Sequence, residues 1–170
     1  SPQFGARRLA SGLSGEGLLR AHSFGVDGYT VKYLVDANVL SEATRPSPSP
    51  QVVKWLRKNE AELALTPIIL GELEYGILIR GEGRERRRLQ DWFSAQIRSL
   101  RVLDFDATTA SVWAQLLARL KREGNPIPIK DSLIAASALR HGLAVVTRNT
   151  KDFVPAGVKL VNPFEKPATR

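Results

Sequence analysis

"YLVDANVLSE", residues 33–42, is the stretch whose reading decides the fold. Tyr33, Leu34 and Val35 form an unbroken apolar run, the composition of a strand buried on both faces. Asp36 follows immediately. Val39 and Leu40 then restore apolar character inside "NVLSEAT", a short helix that breaks at the proline-rich turn "RPSPSP" (45–50). An ionised carboxylate at the end of a buried strand costs free energy unless something compensates its charge. In open parallel sheets, ligands bind beyond the carboxyl ends of the strands. Asp36 therefore stands where such a sheet would carry a functional group.

Outward from this stretch the chain alternates short apolar runs with helical patterns. Strands are predicted at 32–36, 61–66, 100–105, 143–147 and 158–162. Between them fall an amphipathic helix "PQVVKWLRKN" and a helix opened by Thr66 as N-cap and Pro67 at its first position. This second helix is expected to run to Gly81. A charged helix "RERRRLQDWFSAQIRS", a long helix closed by Gly124 and a helix "KDSLIAASALRHG" follow. The alternation predicts an α/β fold, a central and mainly parallel sheet with helices on both faces.

Residues 1–31 differ from the rest. They hold six of the 13 glycines and show no sustained apolar period. No signal-peptide pattern is present, and the sequence contains no methionine. The expectation is an extension over 1–31 and a single domain over 32–170. Apolar residues make up 43% of the 170, enough for a packed core. The absence of cysteine excludes disulfides and thiolate sites and fits a reducing, cytoplasmic setting. No apolar run approaches the roughly 20 residues of a membrane span. The formal net charge of +8 suits a polyanionic partner such as nucleic acid.

Acidic residues recur at the predicted strand ends. Asp36 ends the first strand, and Asp131 opens the helix before the fourth. Asn149 and Asp152 lie in "TRNTKDF", just beyond "LAVVT". Glu72 sits inside "IILGELEYGIL", and its spacing places it on one helical face with Ile69, Tyr75, Gly76 and Ile79, read as a core face. A carboxylate there needs a partner, and the motifs offer few fixed basic ones. A divalent cation would explain the convergence, and oxygen ligands suit Mg²⁺ or Mn²⁺. Such an ion serves phosphodiester hydrolysis. Each residue also has a structural reading: Asp36 as a helix cap, Asp131 as a favourable charge at a helix N-terminus, Asp152 as a turn residue. Asp104 and Asp106 are read as structural, in a helix cap. The two histidines, His22 and His141, make neither a metal cluster nor a triad, and no phosphate-binding glycine loop is present.

Taken together, "YLVDANVLSE", "LGELEYGI", "KDSLIAASA" and "VVTRNTKDF" resemble the PIN-domain ribonucleases, and among them the VapC-type toxins of bacterial toxin–antitoxin pairs. The resemblance covers residues 32 to about 164. It implies a three-layer α/β/α PIN-like fold and a metal-dependent endoribonuclease. Carried over, Asp36, Glu72 and Asp131 are the core acidic ligands. The fourth acidic position falls on Asn149, with Asp152 three residues on as the source of the missing charge. Thr147 matches a hydroxyl residue that supports the site, and Ala37 stands where threonine is common. The resemblance also implies an RNA substrate, a homodimer and a cognate antitoxin. Arg84, Arg86, Arg87, Arg88 and Arg148 are candidate phosphate contacts, Arg148 and Arg84 foremost.

Two other functions compete. An aspartate-nucleophile phosphatase also places an aspartate after the first strand, but it needs a second aspartate where this chain has Asn38. A non-catalytic RNA-binding module on the same fold would be expected to lose one of Asp36, Glu72 and Asp131.

Overall fold

The structure is a computed structural model and describes residues 30–166. Most of the extension predicted at the N-terminus therefore lies outside the described residues. Five strands form one sheet in the order β3-β2-β1-β4-β5: β1 Tyr33–Val35, β2 Leu63–Leu65, β3 Arg101–Val102, β4 Ala144–Val146 and β5 Lys159–Val161. Every neighbouring pair is parallel, with Val35 beside Val146 and Leu34 beside both Ala64 and Val145. The three central strands are almost wholly buried, as their apolar runs require.

Among the described residues, seven α-helices connect the strands: α1 Ala37–Leu40, α2 Pro50–Asn59, α3 Pro67–Leu78, α4 Arg84–Ala95, α5 Ala107–Glu123, α6 Ile129–His141 and α7 Thr150–Phe153. The chain moves from β1 through β2 to β3 on one side, then crosses to β4 and continues to β5 on the other. Right-handed crossovers put α1–α4 on one face and α5–α7 on the opposite face. The direction of winding reverses between β1 and β4, and that switch point is where an open α/β sheet binds its ligand.

Local chemistry sets the boundaries. The Thr66 hydroxyl accepts from Ile69 N, and Pro67 opens α3. Asp106 caps α5 by accepting from Thr109 N at 2.8 Å, in keeping with its structural reading. Gly124 and Gly142 end α5 and α6 at φ 68° and 66°, a left-handed backbone that glycine adopts freely. Buried Glu42 accepts from Ser49 N and pairs with Arg45 at 3.2 Å, which pins the proline-rich turn.

The strands are shorter than their apolar runs. The run 100–105 pairs with β2 through Arg101–Val102, and Leu103 N adds a bond to Leu65 O, the last residue of β2. Helix α3 ends at Leu78, short of the expected Gly81. Leu34, Val35, Leu65, Ile69, Ile134, Val145, Val146 and Phe153 are fully buried and form the core on both faces of the sheet. Among the described residues no helix is long and apolar enough to cross a membrane.

Candidate active site

Because the strands are parallel, the residues after β1 and β4 meet at one edge. Asp36 N donates to Val146 O at 2.9 Å, and Asp36 and Thr147 therefore stand side by side. The fully buried Thr147 hydroxyl donates to Asp36 Oδ2 at 2.8 Å. Asp36 Oδ1 accepts from Ala37 N at 2.8 Å, so the aspartate also caps α1. Its structural reading is thus realised together with its place at the strand end.

Asn38 ties this corner together. Its amide nitrogen donates to Asp36 Oδ2 and to Thr147 Oγ1, both at 3.3 Å, and its oxygen accepts from Arg148 N at 3.1 Å. The Thr147 hydroxyl also accepts from Asn149 N at 3.0 Å. From sequence, Asn38 is notable only as the residue where the phosphatase alternative needs an aspartate. Its bonds reach residues more than a hundred positions away, which local sequence cannot reveal.

Two helices bring further carboxylates to the same edge. Helix α3 starts there, after β2, and carries Glu72 in its second turn. Helix α6 runs against the strands into β4, so its N-terminus, with buried Asp131 in the first turn, faces this edge. Burial pushes the Asp36 carboxyl above its usual value, the Thr147 hydroxyl opposes this, and the Glu72 charge adds to the rise. Burial likewise raises Asp131. Lys130 opposes that rise, while Asp36, Asp152 and Glu72 reinforce it. Asp131 thus feels three other carboxylates and Asp36 feels Glu72.

Glu72 departs from its expected surroundings. The core face of α3 is Ile69, Leu73 and Ile77, whereas Tyr75 and Ile79 are 65% and 64% exposed. The Glu72 side chain is 33% exposed at the edge between α3 and α6. It also has a basic partner that the motifs did not suggest: Lys130 Nζ lies 2.7 Å from Glu72 Oε1. The difference has a physical source. Helix α3 is apolar nearly all round, so periodicity could not tell its faces apart. Glu74, by contrast, is solvent-facing as its angle implied and stands 3.7 Å from Arg98.

The remaining sequence-predicted residues divide. Asn149 and Asp152 are both exposed, at the cap and in the first turn of α7, and Asp152 adds its charge to the field at Asp131. Arg148 is exposed and lies over the Phe164 ring at 3.8 Å from its centroid, a cation–π contact beside the acidic corner. Phe164 is held there because its N–H donates to Asn162 Oδ1. Arg84 begins α4 beyond the far end of α3 and is not brought to the acidic cluster. In the same run, Arg88 makes two bonds to Glu85 and one to Thr44 O, so it serves the protein's own surface.

The donor set suits a hard dication, being all oxygen. Glu72 Oε2 is buried with no hydrogen-bond partner, and Asp36 and Asp131 carry mutual repulsion that a cation would relieve. Among the described residues, no three histidine, cysteine or acidic side chains stand together as a metal-binding group, and Glu72 is paired with Lys130.

The PIN domain family matches residues 33–156. Toxin FitB of Neisseria gonorrhoeae is 36% identical over 135 residues, covering 77% of this chain and 97% of that protein. VapC ribonuclease Y4jK of Sinorhizobium fredii is 34% identical over 136 residues, covering 78% and 97%. The solved structure of FitAB bound to IR36 DNA fragment superposes with a TM-score of 0.74 at 32% identity, over 81% of this chain and 99% of that one.

Proposed function

The chain belongs to the PIN domain family, and we propose that it is a divalent-metal-dependent endoribonuclease acting as the toxin of a toxin–antitoxin pair. What supports this reading is that the charges of Asp36 and Glu72 bear on buried Asp131 at the switch point of a parallel sheet, and that one Glu72 oxygen is buried and unpartnered. The relatives support the class of reaction, since one is named a toxin and another a VapC ribonuclease.

Asp36, Glu72 and Asp131 would hold the ion, with Asp152 supplying further charge and Asn149 an amide oxygen. A bound Mg²⁺ or Mn²⁺ would polarise the scissile phosphate and make bound water more acidic. In the hydrolysis, a water oxygen bonds to phosphorus and gives up a proton, one bridging P–O bond of the RNA backbone breaks, and the freed oxygen takes up a proton, so that protons balance. Thr147 fixes the orientation of Asp36 through its 2.8 Å bond, and Asn38 locks both. Arg148, stacked on Phe164, presents its guanidinium to the RNA backbone at the mouth of the site. The phosphatase alternative is disfavoured because the Asn38 side chain is spent on Asp36, Thr147 and Arg148. A homodimer, a cognate antitoxin and a cytoplasmic place of action complete the proposal.

The test is incubation with total RNA and Mg²⁺ or Mn²⁺, with and without EDTA, and mapping of the cut ends. Discrete cuts that vanish in EDTA and return with the metal are expected. Undiminished cutting in excess chelator overturns metal dependence, and no cutting under any metal overturns the nuclease reading.

A further inference from the structure

Lys130 is the second residue of α6, directly before Asp131. Its ammonium lies 2.7 Å from Glu72 Oε1, and it joins α6 to α3 across the acidic edge. Among the described residues it is the basic group whose charge bears on both Asp36 and Asp131 as well as on Glu72. An ordinary surface ion pair contributes little to stability. This one involves a carboxylate read as a metal ligand, the very glutamate whose other oxygen has no partner, and its lysine acts electrostatically on the other two.

We propose that Lys130 is an exchangeable counter-cation: it neutralises Glu72 in the metal-free protein, and once released it contacts the phosphate backbone of RNA. The inference rests on the metal-dependent ribonuclease reading. A dication and an ammonium cannot share Glu72 Oε1 without strong repulsion at such a distance. Glu72 therefore binds one or the other through that oxygen. The lysine stem is flexible and its three donors rotate, and at 49% side-chain exposure it has room to swing away.

Its second position follows from charge. Asp36, Glu72, Asp131 and Asp152 carry more negative charge than one dication neutralises. A phosphodiester arriving beside them meets residual repulsion unless a further cation is at hand. Lys130 is that cation, tethered one residue from Asp131. Lysine suits the task as a mobile point charge, where a rigid arginine fork would hold one geometry.

The experiment uses the full chain with Lys130→Gln and Lys130→Arg. Mn²⁺ binding is measured directly by electron paramagnetic resonance, without RNA, and cleavage is measured separately at saturating Mn²⁺. The Gln variant is expected to bind Mn²⁺ about tenfold more tightly, because a competing positive charge is gone. Its cleavage at saturating metal should nevertheless fall by about tenfold or more, the order lost with one oriented charge contact. The Arg variant keeps the charge and should return metal affinity toward the parent value. A merely structural lysine would leave Mn²⁺ affinity unmoved or weaken it along with folding, and either result overturns the inference. A parent that binds Mn²⁺ and cuts RNA beside an unchanged Gln variant sinks this inference alone. A parent that does neither sinks the nuclease reading and this inference with it.

Discussion

Thr147 decides how Asp36 is held. Its hydroxyl gives one hydrogen bond to the carboxylate and takes two, from Asn38 and from Asn149 N. Thr147→Val keeps the shape and removes all three. Leaving buried polar groups unpaired costs about 1–3 kcal/mol. Because the hydroxyl holds the Asp36 carboxyl down against burial, the variant should move the acid limb of the cleavage profile to higher pH, and Thr147→Ser should restore it. A pH–rate profile of the three proteins checks this. The fourth acidic position gives a second test. Asp152 is charged and acts on Asp131, whereas Asn149 offers only an amide. Asp152→Ala should weaken Mn²⁺ binding more than Asn149→Ala does, and Asn149→Asp should tighten it while keeping activity. Metal titrations of cleavage rate decide, and a dead Asn149→Ala beside a parent-like Asp152→Ala would reverse the assignment. At this scale the acidic residues were legible because each one interrupts an apolar run or follows one. Lys130, Asn38 and Phe164 were not. A lysine in a first helical turn reads as solvated, and the bonds of the other two cross the fold.

Among the elements, α3 departs most from its sequence pattern. Its start was legible in Thr66-Pro67, since cap and ring chemistry are local. Its buried face was not, because "PIILGELEYGIL" has apolar residues on every side. Burial against the sheet chose Ile69, Leu73 and Ile77, and left Tyr75, Leu78 and Ile79 exposed. Leu73→Ala should therefore destabilise by about 2–5 kcal/mol, the usual cost of emptying a core site. Tyr75→Ser, on the exposed side, should change the stability of a single chain by less than about 0.5 kcal/mol. Chemical denaturation of both variants checks the assignment, and a larger loss at Tyr75 than at Leu73 would restore the face read from periodicity. Strand centres were legible as apolar runs. Their ends were not, because pairing stops where the neighbouring strand stops.

For the whole molecule, the order of strands and helices was enough to foresee a parallel α/β sheet with a site at its carboxyl edge. What the order could not give was which strands adjoin. The placement of β1 beside β4 is the step that sets Asp36 against Thr147. The chain is basic overall at +8, yet this edge gathers carboxylates. A basic body with an acidic mouth draws in a polyanion and leaves the negative centre to a cation. These carboxylates are kept for function against their own repulsion. The Asp131 carboxyl is raised above the ordinary 3.8. A raised carboxyl contributes stability below the unfolded value, and that contribution is lost as pH rises through the folded value. The most direct measurement is the unfolding free energy of Asp131→Asn against the parent across pH, in metal-free buffer. The variant should be more stable than the parent at neutral pH, with the difference closing as the pH falls below the ordinary aspartate value. A variant less stable at neutral pH, by a margin that widens as pH rises, would contradict this and show Asp131 to be a structural charge.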